Sequence, residues 1–362
     1  MKNIFLIIPL LLSTFKYSSA YGQSKAFADS VRLANNIPEL SYAVITENST
    51  IEMFALGYHS AKSKDTASLD DRFHLGSNTK AMTAFLIASY VEKGKLKWET
   101  KFFDLFPQWR KASKAAYYQV TLQDLLSHRA FIQPFQGFDD PEIPVFTGTK
   151  QQRRKKFGQF VLTLEPAKKD SAHSYVYSNA GYTLAALMLE KVTGKSWEEL
   201  MKKVFNQDLN LNIQFSWPEN QTRNDTWGHL YENGKLIPVP STSDYRIEYN
   251  EPSGDINIRL KDYIKYIQLH LQGLSGKSQY LKASTLRFLL QGIPEYSLGW
   301  YNVYENGKHW ISHSGTDGTY YAVTHIDRER KTAYIVFTNC FTEDTQKGVR
   351  ALMRKLKQKQ EN

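Results

Sequence analysis

The position of the strand-forming segments constrains this chain more than any other feature. Leu40–Thr46 and Ile51–Tyr58 are rich in β-branched and aromatic residues and flank the turn-forming Glu47-Asn48-Ser49-Thr50, so they read as a hairpin. The last third holds four more such runs. Ser297–Tyr304 and Lys308–Ser312 flank the turn Glu305-Asn306-Gly307, and Thr319–Ile326 and Lys331–Asn339 follow, joined by the charged turn Asp327–Arg330. Between these ends the chain reads as helices and loops. Ser77–Lys93 carries Met82, Phe85, Leu86 and Ser89-Tyr90 near helical spacing, with Gly94 placed to cap it. Leu122–Ser127 and Ala180–Val192 read as further helices, the second stopping at Thr193-Gly194. After the break Pro252-Ser253-Gly254, the spacing of Leu260, Ile264, Ile267 and Leu271 predicts another, and a closing helix begins near Phe341. Strands at both ends with helices between imply an α+β fold. An antiparallel β-sheet flanked by helices closes through pairing of the N- and C-terminal strands, and an inserted all-helical lobe leaves a cleft between lobes. The sheet lobe is expected over about 25–75 and 255–362, the helical lobe over about 95–250.

A length of 362 residues, 41% of them hydrophobic and 23% charged, excludes a disordered, collagen-like or disulfide-built chain. The net charge of +10 comes without any nucleic-acid-binding motif, so nucleic acid is not an expected partner. The run Arg153-Arg154-Lys155-Lys156 reads as a solvated face. At the N-terminus, Lys2 precedes the apolar run Ile4–Leu12, and Ser18-Ser19-Ala20 supplies small residues for cleavage after Ala20. That order is a secretory signal over residues 1–20, and it implies an exported protein, periplasmic or secreted. The run is too short to span a bilayer and no second one approaches spanning length, so stable membrane insertion is not expected. The single cysteine, Cys340, lies in an apolar run and reads as a buried small hydrophobe.

Three short motifs stand at element boundaries in an order that one active site could use. Ser77-Asn78-Thr79-Lys80 opens a helix, where residues three apart share a face, so the lysine amine can reach the serine hydroxyl and serve as its base. Tyr177-Ser178-Asn179 precedes the next clear helix. A tyrosine hydroxyl beside an ammonium can carry a proton, and an asparagine two residues on can hold both the lysine and a substrate carbonyl. His313-Ser314-Gly315-Thr316 ends a strand whose edge can pair with an extended substrate, its N–H near Thr316 joining that of Ser77 as an oxyanion hole. Singly the patterns are weak, since S-x-x-K recurs at Ser13–Lys16, Y-x-N at Tyr231–Asn233 and Tyr304–Asn306, and H-x-G at His74–Gly76. His128 reads as a loop-holding residue and His74 as packing behind the nucleophile. No histidine shows a metal-ligand spacing, so neither metal nor organic cofactor is expected.

From about Leu40 to Phe341 the chain resembles the serine β-lactamase-like superfamily, in particular class C β-lactamases and their D-alanyl-D-alanine carboxypeptidase and esterase relatives. The likeness rests on the three motifs, on Phe73-His74-Leu75-Gly76 before the first, on Leu125-Leu126-Ser127-His128, on Tyr177–Gly194 and on the Pro252-Ser253-Gly254 break. The resemblance implies a Ser77 acyl-enzyme with Lys80 and Tyr177 as acid and base, Asn179 contacting substrate, and His313, Gly315 and Thr316 bounding the cleft on the sheet side. Two departures bear on substrate. His313 stands where class C β-lactamases carry lysine, a permanent cation suited to a carboxylate, whereas histidine is mostly neutral at pH 7. Arg129-Ala130-Phe131 replaces a small, glycine-containing turn at the cleft rim. The function expected is hydrolysis of a small-molecule or peptide ester or amide by an esterase or D-amino-acid peptidase; the alternative is a penicillin-binding or peptide-sensing protein with slow or no turnover. Oligomeric state is not legible.

Overall fold

The computed structural model describes residues 23–137, 140–169, 171–221, 225–277, 280–305 and 307–360. The expected signal segment, 1–20, lies outside the described residues.

Six strands form one antiparallel sheet in the order β2-β1-β11-β10-β9-β8. These are β1 (Glu39–Thr46), β2 (Thr50–Gly57), β8 (Tyr301–Glu305), β9 (Lys308–Thr316), β10 (Tyr321–Asp327) and β11 (Thr332–Thr338). The first hairpin turns where Glu47-Asn48-Ser49 predicts, with the Thr46 N–H donating to the Ser49 carbonyl. β1 then pairs with β11, Tyr42 opposite Val336 and Val44 opposite Tyr334, so the chain closes through its two ends.

Because successive side chains on a strand point to opposite faces, each central strand feeds two cores. Leu40, Tyr42, Val44, Val323, Tyr334 and Val336 face one way and pack against helix α1 (residues 23–34) and α11 (Glu343–Lys359) through Ala28, Val31, Val349, Leu352 and Leu356. Ala43, Ile45, Ala322, Ile335 and Phe337 face the main core. There lies α2 (Thr79–Glu92), buried on every side from Thr79 to Ser89, as a central helix is. α9 (Leu260–Leu274) and α10 (Ala283–Gln291) complete that side. Cys340 is buried, and burial raises its thiol to about 12.

The middle of the chain supplies α3 (Phe102–Leu105), α4 (Leu122–Leu126), α5 (Lys150–Val161), α6 (Asn179–Thr193), α7 (Trp197–Met201) and α8 (Glu251–Gly254). Capping boxes start α4 at Thr121/Asp124 and α5 at Thr149/Gln152, and Ser178 caps α6 by accepting from the Gly181 N–H. The expected helical lobe over about 95–250 is not all-helical, since short strands lie within it and at its borders. β3 (Arg72–His74), β7 (Ile256–Arg259) and β4 (Gln214–Phe215) make a small sheet, and β5 (Gly228–Glu232) pairs with β6 (Lys235–Val239) across Asn233-Gly234, both at positive φ. Asn-Gly between apolar runs is a strong hairpin signal.

The basic run in α5 is not a uniformly solvated face. Lys155 and Lys156 are exposed, but Arg154 is fully buried and meets Glu190, Glu198 and Glu251. Those acids lie far away in sequence, so charge counting along the helix misses them. No helix among the described residues is long and apolar enough to cross a membrane.

Candidate active site

Strand β3 delivers the chain to a tight turn at Gly76–Asn78 that runs directly into α2, and Ser77 sits, half-buried, in that turn. The turn is tied at both sides. The Leu75 N–H donates to the Ile256 carbonyl at 2.8 Å, and Asn78 Nδ2 donates to the Ala322 carbonyl at 3.0 Å. One helical turn on, Lys80 is wholly buried. Its Nζ donates to Asn179 Oδ1 at 2.7 Å and to the Ser253 carbonyl at 3.0 Å, and lies 3.0 Å from Ser77 Oγ. Burial holds this amine well below the usual lysine range. A neutral amine has two N–H donors and one lone pair. In the neutral amine, Asn179 and Ser253 take the two donors and the lone pair faces the Ser77 hydroxyl; in the ammonium all three contacts are donated.

Tyr177 closes the group from the segment before α6. Its hydroxyl is close enough to Ser77 for that residue to lower its pKa, and Lys80 Nζ lies 4.8 Å from its ring centre. Burial and the neighbouring Tyr301 raise its pKa well above the usual phenol value, outweighing the effect of Ser77. The ring stacks on Tyr301 at 6.2 Å and 4°. Asn179, the first residue of α6, spends its amide on Lys80 and on the Phe135 carbonyl, to which Nδ2 donates at 2.8 Å.

The third motif reaches the same place by close backbone approach. A Cβ on Gly315 would lie 2.3 Å from the Ser77 nitrogen, and one on Gly76 would lie 2.3 Å from the Thr316 nitrogen. Only glycine at both positions lets β9 press against the turn, which sets the Ser77 and Thr316 amides side by side. His313 does not join the hydrogen-bonded group. It is buried, its Nδ1 bonded to the Ser314 carbonyl at 2.8 Å and its Nε2 to the Tyr296 hydroxyl at 3.1 Å. A carbonyl can only accept, so Nδ1 carries the proton and Nε2 accepts from Tyr296. Burial, with Lys80 nearby, pulls the imidazole down to about 3, so it is neutral.

Sequence reasoning gave His128 a loop-holding role without seeing what it holds. At φ 62, its carbonyl accepts from the Val176 N–H at 3.0 Å and its Nδ1 from the Ser178 N–H at 3.1 Å, which fixes the backbone on both sides of Tyr177. Arg129 turns inward. Nη1 donates to the carbonyls of Ser127 and Tyr296, and Nη2 to Pro294 O and Ser174 Oγ, so the rim at 294–296 is pinned by charge rather than opened by it. The Ser253 carbonyl was foreshadowed only by the Pro-Ser-Gly break. Behind the turn, His74 sits between Asp317 (3.3 Å) and Asp255 (3.6 Å). Burial opposes its charge, yet the two acids together raise its pKa.

No metal set was legible, because the residues that meet are scattered. The fold gathers Glu39, His59 and Asp71 with their ligand atoms all within 4.8 Å of one another.

Comparison with known proteins agrees with this architecture. The family model described as Beta-lactamase matches residues 25–357. Protein flp of Staphylococcus aureus strain N315 is 22% identical over 323 residues, 88% of this chain and 62% of flp, so this chain spans 62% of that relative's length. Among solved structures, the octameric penicillin-binding protein homologue from Pyrococcus abyssi superposes with a TM-score of 0.70 at 20% identity, over 88% of this chain and 73% of the other. The D-amino acid amidase from Ochrobactrum anthropi SV3 gives 0.72 at 18% identity, over 95% and 99%.

Proposed function

Because this chain belongs to the beta-lactamase family, we propose that it is a serine hydrolase that forms an acyl-enzyme on Ser77 from ester or amide substrates. The observation that carries this reading is the bonding of Lys80, whose two donors are engaged by Asn179 and Ser253 while its third direction meets Ser77 Oγ.

Lys80 is the base. It takes the Ser77 proton as Oγ bonds the substrate carbonyl carbon, and the resulting oxyanion is held by the N–H groups of Ser77 and Thr316. Tyr177 is the acid. Its raised pKa keeps the phenol protonated, so it donates to the departing nitrogen or oxygen as the carbonyl–leaving-group bond breaks, and the Lys80 ammonium returns a proton to it. Water then attacks the acyl-enzyme by the same route reversed, and Ser77 recovers its proton. Asn179 and His128 act as positioning residues for Lys80 and Tyr177.

The neutral, fully bonded His313 favours substrates without a free carboxylate at the β9 end of the cleft, that is, esters and amides of the esterase and D-amino-acid amidase kind. The Lys2, Ile4–Leu12 and Ser18-Ser19-Ala20 pattern supports export; N-terminal sequencing of the matured protein should begin at Tyr21.

Intact-mass measurement during reaction with an activated ester, and separately with benzylpenicillin, tests the nucleophile. A transient acyl adduct that is absent in Ser77→Ala, with product accumulating, is the expected result. A lasting adduct without product would move the protein to the slow penicillin-binding or peptide-sensing class. Equal ester turnover by wild type and Ser77→Ala would remove Ser77 from the mechanism.

A further inference from the structure

Where β1 begins, three acidic side chains face one another in the interior. Glu39 is fully buried, and neither of its carboxylate oxygens has a hydrogen bond of ordinary geometry. The Thr226 hydroxyl approaches and lowers its pKa somewhat, but burial first, then Asp71 and Asp225, raise it well above the usual carboxylate range. Asp71 is also buried. Its Oδ2 is 3.0 Å from His59 Nε2 and accepts from the Ser68 N–H. Asp225 stands beside them, its Oδ1 accepting from the N–H groups of Arg72 and Thr226.

A buried carboxylate is tolerated when it is paired, protonated or bound to a cation. Here the nearest partner of Glu39 is another acid, and acids repel unless something positive lies between them.

The surrounding backbone is built to hold the group. The Glu39 N–H donates to Asn339 Oδ1 at 2.8 Å, and Asn339 Nδ2 donates to the His59 carbonyl at 3.0 Å, so one asparagine fixes the segments that carry two of the three ligands. Two of the three, His59 and Asp71, are reachable from a cavity, and Glu39 lies behind them. His59, Asp71 and Asp225 line a cavity of about 550 Å³ that also meets Arg72, whose guanidinium bonds Asn257 and Asn212.

We propose that Glu39, His59 and Asp71 bind one divalent transition-metal ion of the zinc or manganese class, entering through this cavity. The donor set decides the class, since one imidazole beside two carboxylates suits zinc or manganese, whereas calcium and magnesium take oxygen alone. Donors about 2.0–2.2 Å from one tetrahedral ion stand about 3.3–3.6 Å apart, so ligand atoms spread over as much as 4.8 Å have to close in by about 1 Å. The ion joins the start of β1 to the connection that leads through β3 to Ser77. Its role is to brace the fold, and no step of hydrolysis passes through it.

The test uses the whole protein, stripped with EDTA and dialysed. Calorimetry with Zn²⁺, elemental analysis after gel filtration, and melting with and without the ion are compared in wild type, Glu39→Gln and Asp71→Asn. Wild type is expected to retain a single equivalent and to melt several degrees higher with it. Each variant should bind more weakly by more than about 10-fold, the loss typical even of an outer-shell partner. Glu39→Gln removes a buried charge without changing shape, so without metal it should melt no lower than metal-free wild type, which separates lost binding from failed folding. Absence of saturable Zn²⁺ or Mn²⁺ uptake by wild type overturns the proposal and leaves Glu39 and Asp71 as a proton-sharing pair. Uptake that persists in both variants overturns it too, by placing the ion elsewhere.

Discussion

Lys80 and Tyr177 are pushed away from their ordinary protonation behaviour in opposite chemical senses, and the division of labour follows. Burial disfavours the lysine cation and the tyrosine anion alike, which favours a lone pair on one and a proton on the other. Tyr177→Phe should cut amide turnover by about 10²–10⁴-fold, while a p-nitrophenyl ester, whose leaving group needs no proton, loses much less; steady-state kinetics on the two substrates check this. The acylation rate should fall as pH drops through the depressed Lys80 value, because protonation removes the lone pair. His313, neutral down to about pH 3, adds no limb near 6.5. His74 titrates the other way. Its folded pKa is raised, so the stability it contributes is complete below about 6.5 and is lost as pH rises through the elevated value. Asp317→Asn should flatten that part of a Tm-against-pH curve. The closeness of Ser77 and Lys80 was legible because residues three apart at a helix start share a face, and the pair was singled out by the two motifs that follow it. The hold of Asn179 on Lys80 was legible from the Tyr177-Ser178-Asn179 motif, but that of the Ser253 carbonyl was not, since it crosses 173 residues of sequence.

At the scale of elements, the site is held by two packing devices, one polar and one steric. Arg154 of α5 ties α6, α7 and α8 together through Glu190, Glu198 and Glu251, and α8 carries the Ser253 carbonyl that orients Lys80. Arg154→Met strands three acids around an apolar side chain and should cost about 3–5 kcal/mol, read as a lowered denaturation midpoint. The steric device is the contact of β9 with the Gly76–Asn78 turn. Gly315→Ala inserts a methyl where 2.3 Å is available, which drives the Thr316 amide away from Ser77. Its kcat should fall by about 10²–10³, the loss that follows removal of one oxyanion donor. The six main strands and the helices α2, α6, α9 and α11 were legible from period and punctuation. The short strands β3, β4 and β7 were not. With two to four residues each, they have no room for an alternating pattern and exist only because distant segments meet.

Over the whole molecule, the candidate site and much of the stability sit on opposite faces of the sheet. The site lies toward α2, whereas α1 and α11 cover the other face with Val31, Val349, Leu352 and Leu356. Leu352→Ala should therefore cost about 2–5 kcal/mol of global stability and leave the acylation rate unchanged below the melting transition, a separation that melting curves and burst kinetics can read. The two-ended architecture was legible because strands crowd both termini, although nothing in the sequence states which terminal strands meet.

The meeting of β1 with β11 has a consequence for the newborn chain. The Glu39 N–H finds Asn339 only 300 residues later, so the inner edge of the first hairpin stays unpaired until almost the entire polypeptide exists. At ribosomal speeds of about 5–20 residues per second, that edge is open for roughly 15–60 s. Exposed edges recruit other strands. Vectorial synthesis therefore offers this protein no early finished half, and one edge of its first strand waits for the last one.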